Sequence, residues 1–308
     1  MSSTTFAAAR PTVPRLSLGQ LRRRIWRGGL QTSEFTWAIA FVVPYIAVFA
    51  AFVAYPVVYG LWMGHQPSLY TELFSDPIYV NTVVNTVIYL GIGVNLKMFG
   101  ALLLSGFFMR RSWWTKGLLL IYVLPWAVPA LPTFLSIHWM LNGQWGLINN
   151  TLWDLFHIDG PGWLETSRWL ALGSVIASHI WKWMPFWTVI LLAGRMAIPQ
   201  ELYEAAEMDG ATGLTRFTHV TFPLLANLYL VCTLLSTIFT LGDFNSVFFV
   251  SGGGPALSTH VLATLGIRDA FEVARPELGV ATVLTALPLM IPLVLILMRK
   301  LRTTEVSL

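Results

Sequence analysis

The chain has 308 residues, 56% of them hydrophobic and only 11% charged, with a formal net charge of +4. A soluble domain carries roughly 25% charged residues, so this composition excludes a water-facing globule, and one cysteine excludes an internal disulfide. The positive balance does not mark a nucleic-acid binder, because most basic residues fall at the ends of apolar runs.

Residues 1–33 read as a cytoplasmic basic tail, with Arg22, Arg23, Arg24 and Arg27 just ahead of the first apolar run. The run from Thr36 to Trp62 is far longer than a signal-peptide core and shows no small-residue cleavage site, so it reads as an uncleaved first span. Further apolar runs follow at Val80–Met109, Gly117–Leu141, Trp169–Ala193, Leu224–Val250 and Leu278–Met298. At about 20 residues per crossing these predict six transmembrane helices, an all-α membrane protein filling 34–308. Pro125, Pro129 and Pro132 predict that the third run is bent or broken. Cys232 lies inside the fifth run and reads as a small core residue.

Basic residues sort the loops. Arg110, Arg111, Lys116, Arg195, Arg216, Arg299, Lys300 and Arg302 lie on the side of the tail, and only Arg168, Arg268 and Arg275 on the other. The excess of Lys and Arg marks the cytoplasmic side. Both termini and residues 195–223 are therefore expected in the cytoplasm, and loops 63–79, 142–168 and 251–277 outside.

Within 195–223, Pro199 suits a first helical position, and Glu201 and Glu204 favour a helix N-terminus. Leu202, Ala205 and Ala206 form one smooth face. Gly210 stops the helix and Thr212 caps a second short one, ending where Pro223 opens the next apolar run.

Glu204-Ala205-Ala206, Asp209-Gly210-Ala211, Phe217, Val220 and Pro223 resemble the EAA loop of ABC importer permeases. Trp181-Lys182-Trp183-Met184-Pro185-Phe186 is similar to that family's approach to the loop. Ser251-Gly252-Gly253-Gly254-Pro255 resembles the TGGGP signature of the larger maltose-type permease. Three features depart from the pattern: Phe222 stands in place of leucine, Asn227 in place of proline, and the Gly-Leu-x-Asn-Tyr stretch expected before Ser75 is missing. The resemblance implies the type I importer permease fold in a bacterial inner membrane. It also implies three kinds of partner besides the lipid bilayer: a homologous second permease, two ATP-binding subunits and an extracytoplasmic solute-binding protein. Glu204, Ala205, Ala206, Asp209 and Gly210 would then be the ATPase-coupling residues. No phosphate-binding G-x-x-x-x-G-K-[ST] occurs. The chain is accordingly expected to be no enzyme and to hold no cofactor, with ATP and Mg bound by the partner subunits.

Ionisable groups inside apolar runs cost roughly 2.5–3.5 kcal/mol at a helix centre and are functional suspects by default. Asp243, Asn245, Trp181, Lys182 and Trp183 are the candidate substrate path for a sugar or polyol: indole faces suit sugar rings, and the polar groups suit hydroxyls. Asp243 can equally pair with Lys97 or Lys182 to hold the bundle, and the tryptophans can simply pack. His179 and His138 read as satisfied interior histidines. No metal-binding cluster is expected. The competing functions are an ion-coupled secondary transporter, with Asp243 and Lys182 as relay, and an intramembrane hydrolase, for which no G-x-S-x-G or paired carboxylate motif appears.

Overall fold

The computed structural model describes residues 32–305 except Arg111; the tail arginines lie outside the described residues. Its chain divides into two compact units, 1–60 and 61–308. Helix α1 runs from 32 to 63; its residues 32–60 are the described part of the first unit, and none of residues 35–63 is buried. Phe41 and Phe52 are 74% and 76% exposed. Such a helix has no place in water, and its continuous apolar surface fits lipid.

In the second unit, α2 (Pro67–Ser75) leads into α3 (Pro77–Phe108), where Asp76 accepts a hydrogen bond from the Ile78 amide at 2.8 Å and so caps the helix. Next come α4 (Trp113–Ala127) and α5 (Ala130–Met140), bent by 96° at a break set by Pro129, as the three prolines predicted. After α6 (Leu147–Phe156), α7 (Arg168–Met196) crosses the whole unit. Helix α8 (Gln200–Met208) precedes α9 (Gly213–Leu241), α10 (Asn245–Ser251), α11 (262–272) and α12 (Pro276–Lys300). Among the described residues five helices are long and apolar enough to cross a membrane, or six with the bent pair counted as one.

Three expectations are revised in detail. Pro199 sits at the N-cap, one residue ahead of α8. The second short helix is instead the opening of α9, continuous with the fifth span. A π-type turn at Phe217–Thr221 absorbs the missing amide and the ring of Pro223 there, so the helix runs through. The fifth apolar run also does not reach Val250 as one helix; it stops at Leu241 and restarts at Asn245.

The unit is held by three apolar clusters, each joining non-consecutive helices. Tyr89, Phe134, Leu172, Val175 and Val247 pack α3, α5, α7 and α10 together. Met98, Ala101, Trp187, Leu191, Leu225 and Cys232 join α3, α7 and α9. Leu69, Leu73, Tyr79, Leu265 and Ala281 join α2, α3, α11 and α12. Between α11 and α12, Gly266 and Gly279 face each other: a Cβ on Gly266 would lie 2.9 Å from the Gly279 carbonyl, so only glycine allows this crossing.

Candidate functional site

The break between α9 and α10 comes at Gly242-Asp243-Phe244, and Asp243 turns its carboxylate into the interior. Its Oδ1 accepts from the Ser246 amide at 3.2 Å, which satisfies the start of α10. Its Oδ2 accepts from Tyr89 Oη at 2.8 Å, from His179 Nδ1 at 2.7 Å and from Ser246 Oγ. Tyr89 stands in the π-type turn Tyr89–Val94 of α3, a local widening of the helix that re-aims side chains. On the far side of the imidazole, Lys97 Nζ donates to His179 Nε2 at 2.8 Å and to Thr240 Oγ1 at 3.0 Å.

The partners settle the tautomer. An ammonium has no acceptor, so Nε2 must accept from Lys97 and Nδ1 must carry the proton given to Asp243. The chain Lys97–His179–Asp243 is therefore a cation and an anion bridged by a neutral ring. Lys97 is 1% exposed, His179 2% and Asp243 8%. Charges this deep survive only when paired and hydrogen-bonded.

The network borders a cavity of about 480 Å³, lined by Lys97, His179, Thr240, Asp243 and Asn245 on its polar side. Trp126, Trp183, Phe186, Trp187 and Phe239 make its aromatic side. Its volume falls in the range of small-molecule sites, roughly 300–1,000 Å³.

Asp243, Asn245 and Trp183 of the expected path thus share one cavity. Trp181 and Lys182 are absent from its lining. Trp181 is half exposed. Lys182 is buried and donates to the carbonyls of Pro125, at 2.5 Å, and Val128, tying α7 to the α4–α5 break. Asp243 pairs with Lys97 through His179, and Lys182 takes no part. His138 donates through Nδ1 to the Val250 carbonyl at 2.8 Å. Sequence reasoning missed Trp126, Phe186, Trp187, Phe239 and the bridging role of His179. The available signal was the pair His179 and Trp183, four residues apart and so on one helix face.

Toward the end of α7, Arg195 donates to Ser105 Oγ at 2.8 Å and to the Leu102 carbonyl at 2.9 Å, joining α7 to α3. Helix α8 follows. Glu204, Ala205, Asp209 and Gly210 are exposed and Ala206 is half-buried. Gly210 ends the helix at φ +79°, with its amide on the Glu207 carbonyl at 3.0 Å and the Ala211 amide on the Ala206 carbonyl at 2.8 Å. This is a Schellman cap, and it requires the left-handed residue that glycine supplies. Glu207 pairs with Arg216, and Thr221 Oγ1 donates to Tyr203 Oη at 3.3 Å. Helix α8 is thereby strapped to the first turns of α9 while its other face stays open. Thr212 occupies the N-cap of α9 as expected, without a side-chain capping bond. Among the described residues, no group of three His, Cys, Asp or Glu side chains is placed to hold a metal ion.

Comparison with known proteins places these features in a family. The family described as binding-protein-dependent transport system inner membrane component matches residues 98–301. The sulfoquinovosyl glycerol transport system permease protein SmoG of Agrobacterium fabrum is 32% identical over 271 residues, covering 82% of this chain and 85% of its own length. The trehalose/maltose transport system permease protein MalF of Thermococcus litoralis is 30% identical over 240 residues, covering 74% of this chain and 81% of its own. The structure is also similar to a chain of a bacterial alginate ABC transporter crystallised with an alginate pentasaccharide-bound periplasmic protein. That match has a TM-score of 0.79 over 89% of this chain and 96% of the other, at 22% identity, and so is a likeness of fold.

Proposed function

Because the chain belongs to the family of binding-protein-dependent transport system inner membrane components, we propose that it is the permease subunit of an ATP-driven importer of a sugar or sugar-like polyol. The observation that carries the sugar reading is the cavity beside Asp243, where five aromatic side chains face a short polar wall. Aromatic faces suit the apolar faces of a sugar ring, and a few convergent polar groups fix its hydroxyls. The relatives' names agree, since they are permeases for sulfoquinovosyl glycerol and for trehalose and maltose.

Coupling to ATP would run through α8. Its open face, with Glu204, Ala205 and Ala206 ahead of Gly210, docks in a groove of an ATP-binding subunit. The Glu207–Arg216 and Tyr203–Thr221 links pass the movement to α9. Helix α9 leads directly to the Asp243 break, so a push at the cytoplasmic end reaches the cavity through one continuous element. Closing of the two ATP-binding subunits, which hold ATP and Mg, then alternates the side to which the cavity opens. A homologous permease completes the path, and a solute-binding protein delivers the substrate from outside. The chain itself carries no catalytic step.

The second reading, a transporter driven by an ion gradient without an ATPase, draws on the ionisable chain Lys97–His179–Asp243. Reconstitution in liposomes separates the two. Sugar uptake is expected only with binding protein, second permease and ATP-binding subunits present and ATP supplied. Uptake by this chain alone under a proton or sodium gradient would overturn the proposal.

A further inference from the structure

The cavity's charges are unevenly used, and we propose that the carried sugar bears a negative group, a carboxylate or sulfonate, with Lys97 as its charge partner. This rests on the sugar-permease reading above and narrows its substrate class. Four protein donors already engage the Asp243 carboxylate: Tyr89 Oη, His179 Nδ1, Ser246 Oγ and the Ser246 amide. The Lys97 ammonium has three protons to give and uses two, on His179 Nε2 and Thr240 Oγ1. Thr240 cannot take more of the load, because its own hydroxyl proton goes to the Ser236 carbonyl at 2.6 Å. One Lys97 N–H is therefore left without an acceptor among the described residues, in a side chain that lines the cavity.

Asn245 lines the same cavity, is exposed, and its side-chain amide has no hydrogen-bond partner among the described residues. The donors left unused at the cavity wall are thus one N–H of the almost fully buried Lys97 ammonium and the Asn245 amide. A hydroxyl can accept from either, but an anionic oxygen makes a charge-assisted bond roughly twice as strong as a neutral one. Trp126, Trp183 and Phe239 give this end of the cavity an apolar wall, beside which the attraction is less screened than in bulk water. Asp243 opposes an incoming anion electrostatically. That opposition gives the proposal its test, since removing either charge should move the preference in opposite directions.

The experiment uses the purified full-length protein in lipid nanodiscs and follows quenching of tryptophan fluorescence, as three tryptophans line the cavity. The probes are methyl β-glucoside and methyl β-glucuronide, which differ by one carboxylate. The glucuronide is expected to half-saturate the signal at about tenfold lower concentration. Lys97→Met should abolish that preference, Lys97→Arg should keep most of it, and Asp243→Asn should increase it. A merely structural role for Lys97 would weaken both probes equally in the two Lys97 variants, and that result would overturn the proposal. If Lys97→Met does not accumulate, Lys97→Met with Asp243→Asn leaves the cavity uncharged and should show no preference. Equal half-saturation of the wild type by both probes defeats the anionic class and leaves the sugar reading standing. Failure of both probes to quench, in this chain alone and again in its complex with the partner permease, defeats the two together.

Discussion

Lys97 on α3 and Asp243 at the α9–α10 break, 146 positions apart in the chain, are joined through one imidazole: His179 accepts a hydrogen bond from the first at 2.8 Å and donates one to the second at 2.7 Å. The bridge unites α3, α7 and the α9–α10 break. His179→Ala would strip an acceptor from a buried cation and a donor from a buried anion. Losing one partner of such a pair costs about 3–5 kcal/mol. The variant is expected to unfold in detergent at clearly lower temperature than the wild type, and His179→Gln, which keeps a donor and an acceptor, at an intermediate one. An unchanged transition in His179→Ala would show that the bridge bears no weight.

Gly210 predicts a separable defect. Nothing lies within 4 Å of a Cβ built on it, so a substitution there meets backbone strain and no clash. At φ +79° a β-branched residue is disfavoured by roughly 1–2 kcal/mol, whereas asparagine visits this region readily. Gly210→Val is expected to insert normally but to lose retention of the ATP-binding subunit in co-purification, and Gly210→Asn to keep most of it. Full retention and ATPase stimulation with Gly210→Val would remove α8 as the coupling element.

What could be read from the chain before its structure follows from the range of the interactions concerned. The apolar runs, the bend at Pro129 and the stop at Gly210 are local: hydropathy over about 20 residues, a ring without an amide, a residue without a Cβ. The break at Asp243 was passed over in the sequence although it carries a local signal: Gly242-Asp243-Phe244-Asn245 sets a glycine and two turn-favouring polar residues inside the run Leu224–Val250. The interior partners of Asp243 then hold the break in place. The pairing of Lys97 with Asp243 stood among the open alternatives, but the ring between them comes from 82 positions along the chain and no local pattern encodes it. Lys182 was placed in the substrate path on the strength of its tryptophan neighbours, while its reach to the Pro125 carbonyl depends on a packing of α7 against α4.

His260 carries a pH dependence outside the spans. It is 3% exposed, and burial, aided by the Arg268 charge, lowers its pKa from 6.5 to about 4. The folded protein therefore keeps the ring neutral while the unfolded chain protonates it below 6.5. Stability from this group is complete above pH 6.5 and declines as the pH falls toward 4, by an amount on the order of 3 kcal/mol. Unfolding measured across that window should show a shallower pH slope in His260→Gln than in the wild type. Parallel slopes would mean that the ring is protonated in the fold.

Lys182 offers a choice between anchoring and substrate contact. Helix α4 ends at Ala127 because Pro129 has no amide to offer, which leaves carbonyls of its last turn without helical partners. The Lys182 ammonium takes two of them, those of Pro125 and Val128. Lys182→Met keeps the bulk of the side chain and removes both donors, and each carbonyl left unsatisfied costs about 1–3 kcal/mol. Anchoring predicts a lower unfolding temperature together with faster amide exchange at residues 124–132. Direct substrate contact predicts instead a raised KM for uptake with unchanged exchange. Because the ammonium already holds two backbone carbonyls and does not line the Asp243 cavity, the exchange difference is the expected outcome, and a pure KM effect would return Lys182 to the path.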